Sequence, residues 1–295
     1  MREQTPFQIS YLPLSVSLIS RQQAELPAYL GSTLRGVIGR SLYERDRAAY
    51  DFLYANGRKW EGEQDTVKPY LIIPPPVCGE KQVIGPGERL QFGVLLFGDG
   101  TAYVKSLAEA FQGIERHGLG ARRFPFSLEQ VVNRENCCFL WRDGAYFPGG
   151  AERSILPSRR LEGVTRVTVR LRTPLRIRRK GNLLTTITFQ TLIRNITNRI
   201  LALTSRYGGW ADREEAMSLQ ELAAGVRTVR EELRLERLER YSNRLQEKMD
   251  FGGLMGEVEY EGNLDPFVPW LLAAQTLHLG RNTTFGMGEI QVYFI

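Results

Sequence analysis

Histidine is nearly missing from this chain: 2 of its 295 residues, His117 and His278. That scarcity narrows the chemistry. Imidazole is the side chain that moves protons near neutral pH, and it is the commonest metal ligand. No His-x-x-x-His pair is available to seat a metal. The three cysteines (Cys78, Cys137, Cys138) have neither zinc-site spacing nor the even count of a disulfide framework. They are expected to be reduced thiols in a cytoplasmic protein that carries no metal and no cofactor. A phosphate-loop Gly-Lys-Ser/Thr and a Gly-x-Ser-x-Gly elbow are both lacking, which removes the commonest nucleotide-hydrolysis and serine-hydrolase readings. No apolar run approaches the roughly 18 residues of a membrane span, and no apolar signal core follows Met1-Arg2-Glu3-Gln4. Acidic residues are also in deficit, with 33 Asp+Glu against 39 Lys+Arg and a net charge of +6.

What is present is a pattern of strands and amphipathic helices that runs twice. Apolar content is 42%, enough for each half to bury a core. In the first half, Phe7 to Leu12 and Leu14 to Ile19 read as strand. A helical pattern opens at Leu26-Pro27 and runs through Tyr29, Leu30, Leu34, Val37, Ile38 and Leu42, with Arg35, Arg40 and Arg45 on other faces. Pro69 to Pro76 is held extended by its prolines. Arg89 to Phe97 is a strand, and Val104 to Ile114 a helix. Gly118-Leu119-Gly120-Ala121-Arg122-Arg123 leads into a closing strand from Phe124 to Val132.

The second half has a strand over Gly163 to Leu175, a helix over Thr188 to Leu203, a strand over Leu254 to Tyr260 and a helix over Pro266 to Leu279. A glycine loop and a last strand end it. The order predicts an α+β protein of two tandem ferredoxin-like βαββαβ domains, RRM-like in plan. They are placed at 1–145 and 160–295, with the Gly- and Pro-rich stretch Arg142 to Leu161 as the linker. The mixed charges of 212–248 predict a solvated helical insertion.

Two features suggest nucleic acid. From Arg153 to Lys180 ten basic residues meet a single acidic one, Glu162. Arg166, Arg170 and Arg172 are expected on one strand face, with Arg176, Arg178, Arg179 and Lys180 beyond it. Such a face can be merely solvated, or can track phosphates. The second is the final loop, His278-Leu279-Gly280-Arg281-Asn282-Thr283-Thr284-Phe285-Gly286-Met287-Gly288. Its glycines allow positive φ and close approach of a ligand, its N–H groups can form an anion-binding concavity, and Arg281 offers a phosphate-fitting fork. A polar turn packed between helix and strand is the plainer alternative. The loop follows a helix and precedes a strand, the reverse of the dinucleotide fingerprint. No aromatic pair stands where an RNA-recognition motif stacks bases.

Several blocks together resemble the CRISPR repeat-processing endoribonucleases of the RAMP superfamily. Leu26 to Gly39, with Gly31-Ser32-Thr33-Leu34-Arg35-Gly36, is similar to the family's first-helix block. Phe92 to Phe97 and Gly118-Leu119-Gly120 are similar to the first domain's strand and glycine loop. Arg240-Tyr241-Ser242-Asn243-Arg244 and Gly252-Gly253-Leu254-Met255-Gly256 are similar to the block before the second domain's strand. The C-terminal loop completes the set.

The resemblance implies binding of CRISPR repeat RNA, as precursor and as mature guide, and contact with subunits of a CRISPR effector complex. It implies metal-independent cleavage in which the upstream 2′-hydroxyl attacks the phosphate, leaving 2′,3′-cyclic phosphate and 5′-hydroxyl ends. The alternative is an inactive relative that holds RNA within an effector complex. Relatives often carry a His in or after the first helix, and this chain has none before His117. Catalysis is therefore assigned to Tyr29, which would orient the 2′-hydroxyl, and to Arg35 and Arg40, which would stabilise the phosphorane. His278 is a lesser candidate and His117 a weaker one still. Arg35 has an equal structural reading. RNA contact is assigned to Arg176, Arg178, Arg179, Lys180, Arg244, Gly280, Arg281, Asn282, Thr283, Thr284, Gly286 and Gly288.

Overall fold

A computed structural model describes residues 5–55, 63–77, 81–242 and 247–295. The chain forms two compact units. One comprises Ser10–Gly57 and Lys68–Ile155, and the other Met1–Ile9, Arg58–Val67 and Leu156–Ile295.

The N-terminal unit is built on β1 (Ser10–Ser20), α1 (Gly31–Arg45), β2 (Tyr70–Ile73), β3 (Arg89–Phe97), α2 (Val104–His117) and β4 (Phe126–Asn133). The strands lie antiparallel in the order β2-β3-β1-β4. Leu12, Leu14, Val16 and Leu18 alternate along β1 and enter one core with Phe92, Val94 and Leu96 of β3. The stripe Leu34, Val37, Ile38 and Leu42 of α1 and the stripe Leu107, Phe111 and Ile114 of α2 close over that face. The sheet continues past β4 into a hairpin, Phe139–Arg142 with Ala145–Tyr146. Ser154–Ile155, read from sequence as linker, pairs with the start of β1.

The C-terminal unit repeats the plan with β5 (Arg166–Leu175), α3 (Phe189–Tyr207), α4 (Arg213–Leu222), β6 (Arg227–Glu236), β7 (Gly253–Glu261), α5 (Val268–Leu277) and β8 (Ile290–Phe294). Its strand order is β6-β7-β5-β8, again antiparallel. Thr188 caps α3 by accepting from the Thr191 N–H, and Asp212 caps α4 by accepting from the Glu215 N–H. Two chain segments from before β2 complete this unit. Phe7–Gln8 pairs with Trp210–Ala211, and Phe7 stands edge-on to buried Trp270 at 5.2 Å. Glu63 pairs with Arg206 at 3.0 Å, and Tyr207 donates to the Val67 carbonyl at 2.9 Å.

Two sequence expectations are corrected. The first helix begins at Gly31 and not at Leu26, because Ala24–Pro27 is a short strand paired with Lys81–Ile84. The charged stretch 212–248 is not a helical insertion. It holds one helix to Leu222, and then β6, the edge strand that the ferredoxin plan requires before β7. An edge strand bonds to one neighbour only, and charged side chains protect its open side. Such a strand carries little of the apolar alternation by which strands are recognised in sequence.

Candidate nucleic-acid interface

In the C-terminal unit the end of β5, a basic hairpin and the glycine loop are bonded into one structure. Arg178–Arg179 pairs with Leu183–Asn182. Lys180 and Gly181 make the turn, both at positive φ (49° and 85°), as a two-residue hairpin turn requires. Gln64 grips the hairpin main chain: the Arg178 N–H donates to Gln64 Oε1 at 2.7 Å, and Gln64 Nε2 donates to the Arg178 carbonyl at 3.1 Å. The Arg178, Arg179 and Lys180 side chains are exposed. The glycine loop attaches alongside. The Arg281 N–H donates to the Arg176 carbonyl at 2.9 Å and the Gly288 N–H to the Pro174 carbonyl at 3.2 Å. Thr173 Oγ1 donates to the Gly286 carbonyl at 2.9 Å.

Within this assembly the predicted RNA-contact residues divide. Arg178, Arg179 and Lys180 face solvent. Arg281, Asn282 and Thr284 are half-buried, and Asn282 is left-handed at φ 62°. Gly286 is also left-handed at φ 91°. Thr283 is buried, and so is Arg176, 6% exposed. Arg176 donates to the Gly252 carbonyl at 2.5 Å and pairs with Asp250 at 2.8 Å, so its side chain is structural. Gly280 and Gly288 face the protein's own backbone. A Cβ would stand 2.5 Å from the Arg176 carbonyl oxygen at Gly280, and 1.8 Å from the Leu279 carbonyl oxygen at Gly288. Both have positive φ, so their smallness closes the loop on itself and is not needed to admit a ligand. Arg244 lies outside the described residues.

The basic strand face is neutralised. Arg166 pairs with Glu259 at 3.1 Å and Glu261 at 2.7 Å, and Arg170 with Glu257 at 2.5 Å, all across the β5–β7 ladder. The basic excess read along the sequence therefore reaches solvent chiefly in the hairpin beyond the strand.

His278 is 2% exposed. It follows α5, and its Nδ1 lies 3.2 Å from the Met287 carbonyl. Burial, with Arg199 nearby, pushes its pKa down to about 3. It is a neutral pin in the glycine loop and is not placed to shuttle protons. Sequence reasoning missed Arg199. It sits on the buried side of α3, and its Nε donates to the Leu277 carbonyl at 2.7 Å, at the end of α5 where the loop begins. Burial lowers its pKa to about 10. The one signal in the sequence is an arginine set inside an apolar helical stripe.

The other candidates lie in the N-terminal unit. Tyr29 is buried in the turn before α1 and not on the helix. Arg35 is half-buried, its guanidinium 5.1 Å from the Tyr54 ring centre. Tyr54 stacks on Tyr70 at 4.7 Å and on Tyr50 at 5.5 Å. This setting favours the structural reading of Arg35 over the catalytic one. Arg40 is exposed and pairs with Glu44 at 3.2 Å. Glu44 also pairs with Arg116, and its Oε2 lies 3.3 Å from His117 Nε2. Burial holds the His117 pKa below the ordinary histidine value, against the pull of Glu44. The structure thus brings together Arg40, which sequence reasoning favours, and His117, which it ranks last.

No group of three or more His, Cys, Asp or Glu among the described residues is placed to hold a metal ion. No helix among them is long and apolar enough to cross a membrane.

Comparison with known proteins agrees with this architecture. A family described as an N-terminal domain matches residues 8–147. The CRISPR-associated endoribonuclease Cas6 family matches residues 169–290. No curated protein matches the chain. Among solved structures, a Cas6 product complex is 14% identical with a TM-score of 0.62, over 96% of this chain and 99% of that one. Cas6 of Thermus thermophilus is 15% identical with a TM-score of 0.58, over 97% and 99%. A partial Cas6-RT-Cas1–Cas2 complex is 13% identical with a TM-score of 0.61, over 99% of this chain and 47% of that one. These likenesses show a shared fold of tandem ferredoxin-like domains, and through its C-terminal half the chain belongs to the CRISPR-associated endoribonuclease Cas6 family.

Proposed function

We propose that this chain processes CRISPR repeat RNA. It binds the repeat in precursor RNA and cuts it once, without metal, to release guide units. The observation that carries RNA binding is the exposed Arg178-Arg179-Lys180 hairpin, held by Gln64 and adjoining the Arg176–Arg281 backbone bond. A rigid cationic edge of this kind suits a phosphate backbone, where charge neutralisation dominates affinity. Family membership supports the reaction. The 2′-hydroxyl upstream of the cut attacks phosphorus, leaving a 2′,3′-cyclic phosphate and a 5′-hydroxyl. Such a step needs a base for the 2′-hydroxyl, a proton for the departing 5′-oxygen and cations for the phosphorane. Mature guide RNA is the expected retained product, and effector-complex subunits are the expected protein partners.

The test is single-turnover cleavage of repeat RNA from the genome that encodes the chain, in EDTA. Replacing the 2′-hydroxyl at the cut by hydrogen is expected to abolish cutting and to leave binding intact. Cleavage that survives the deoxy substitution, or that requires added Mg²⁺, removes this mechanism. Tight binding with no cutting returns the chain to the role of an RNA-holding subunit.

A further inference from the structure

The proposed reaction needs a base, and the chain holds two imidazoles. His278 is sealed in its loop. His117 is differently placed. It ends α2, with Nε2 3.3 Å from Glu44 Oε2 and 3.3 Å from Arg116 Nη2. Glu44 binds Arg40 and Arg116, whose side chains are 58% and 69% exposed, so the cluster meets solvent through its cations. The close approach of α1 and α2 makes this possible. A Cβ on Gly113, one turn before His117, would stand 2.0 Å from Ser41 Oγ of α1 and 3.7 Å from His117 Cδ2. Glycine at 113 lets α1 lie near enough for Glu44 to reach the imidazole.

The geometry points to His117 as the general base of the cleavage, oriented by Glu44, with Arg40 and Arg116 receiving the scissile phosphate. This inference rests on the endoribonuclease reading above. Without RNA, Glu44 is shared among two guanidinium groups and the imidazole. A phosphodiester is an alternative partner for guanidinium, whose planar fork matches two oxygens. As Arg40 and Arg116 turn to the phosphate, Glu44 is left to the imidazole, and it stabilises the imidazolium once that forms. His117 Nε2 takes the 2′-hydroxyl proton, and O2′ bonds to phosphorus. The P–O5′ bond then breaks, its electrons leave with O5′, and O5′ takes a proton from water. The imidazolium returns its proton to solvent. The charged groups facing His117 are Glu44 and Arg40 from α1 and Arg116 from its own helix. Burial, the largest influence, keeps the ring neutral, which is the form a base needs.

The test follows the single-turnover rate with repeat RNA at saturating protein. His117→Ala is expected to slow cutting about 10²–10⁴-fold with repeat affinity kept, and free imidazole in the buffer is expected to restore part of the rate. In the unaltered chain the rate is expected to fall with acidification below the His117 pKa, and Glu44→Gln is expected to move that inflection down. A His117→Ala rate equal to that of the unaltered chain overturns the inference. So does a rate in the unaltered chain that stays flat on acidification, a result that stands even if the variant fails to fold. If the unaltered chain cuts no repeat RNA, the endoribonuclease reading itself falls and takes this inference with it. Cutting that ignores His117 removes the inference alone.

Discussion

His278 shows how a residue type can mislead and its surroundings correct it. A histidine beside a glycine loop in an RNA-binding fold invites a catalytic role, yet its ring is enclosed and bonded to the Met287 carbonyl. The consequence is a dependence of stability on pH. The folded pKa of about 3 lies below the unfolded value of about 6.5. The unfolded chain therefore binds the proton first as pH falls. The stabilisation by neutral His278 is complete above about pH 6.5 and declines below it by about 1.4 kcal/mol per pH unit. His278→Asn, chosen because Asn tolerates the positive φ found there, should lose less stability than the unaltered chain between about pH 6.5 and pH 5. Urea unfolding midpoints at the two ends of that window measure it. Equal losses in both proteins would show that His278 does not titrate on unfolding in this range.

Among the elements, the basic hairpin and the basic strand before it look alike in sequence and behave differently in the fold. Arg166 and Arg170 meet glutamates of β7, and the Arg170–Glu257 pair spans 87 residues of chain. Local reading sees the arginines and cannot see partners so far away. The hairpin lies beyond the ladder, where β7 no longer runs alongside to supply carboxylates. Changing Arg178, Arg179 and Lys180 together to Ala should weaken repeat binding and flatten its dependence on log salt, by roughly 0.7–0.9 slope units for each phosphate no longer neutralised. Changing Arg166 and Arg170 should leave the slope nearly as it was. Affinity titrations across salt concentrations separate the two, and an unchanged slope in the hairpin variant would make it a solvated turn. The same locality explains which elements are legible. β3, α2, α3 and β7 carry strong periodicity, and their positions follow from it. β6 reads as helix in the sequence because an edge strand rich in Arg and Glu shows little apolar alternation. His117 and Glu44 belong to different helices, and only the packing of α1 on α2 brings them together.

Taken whole, the chain is divided in space differently from its division in sequence. Cutting the sequence into 1–145 and 160–295 follows the repeat, which is the only boundary signal a linear reading contains. The structure assigns Phe7, Glu63 and Val67 to the C-terminal unit, where they meet Trp270, Arg206 and Tyr207. Each pairing satisfies something that unit cannot satisfy from residues after 156 alone: an edge-on partner for a buried indole, a carboxylate for a buried guanidinium and an acceptor for a buried phenol. Phe7→Ala leaves a cavity against Trp270 and should cost about 3–5 kcal/mol. The loss should appear first as faster hydrogen exchange in α5, where Trp270 lies. If protection falls instead only in the β1–β4 sheet, the opening strand belongs to the N-terminal unit, as a linear reading places it.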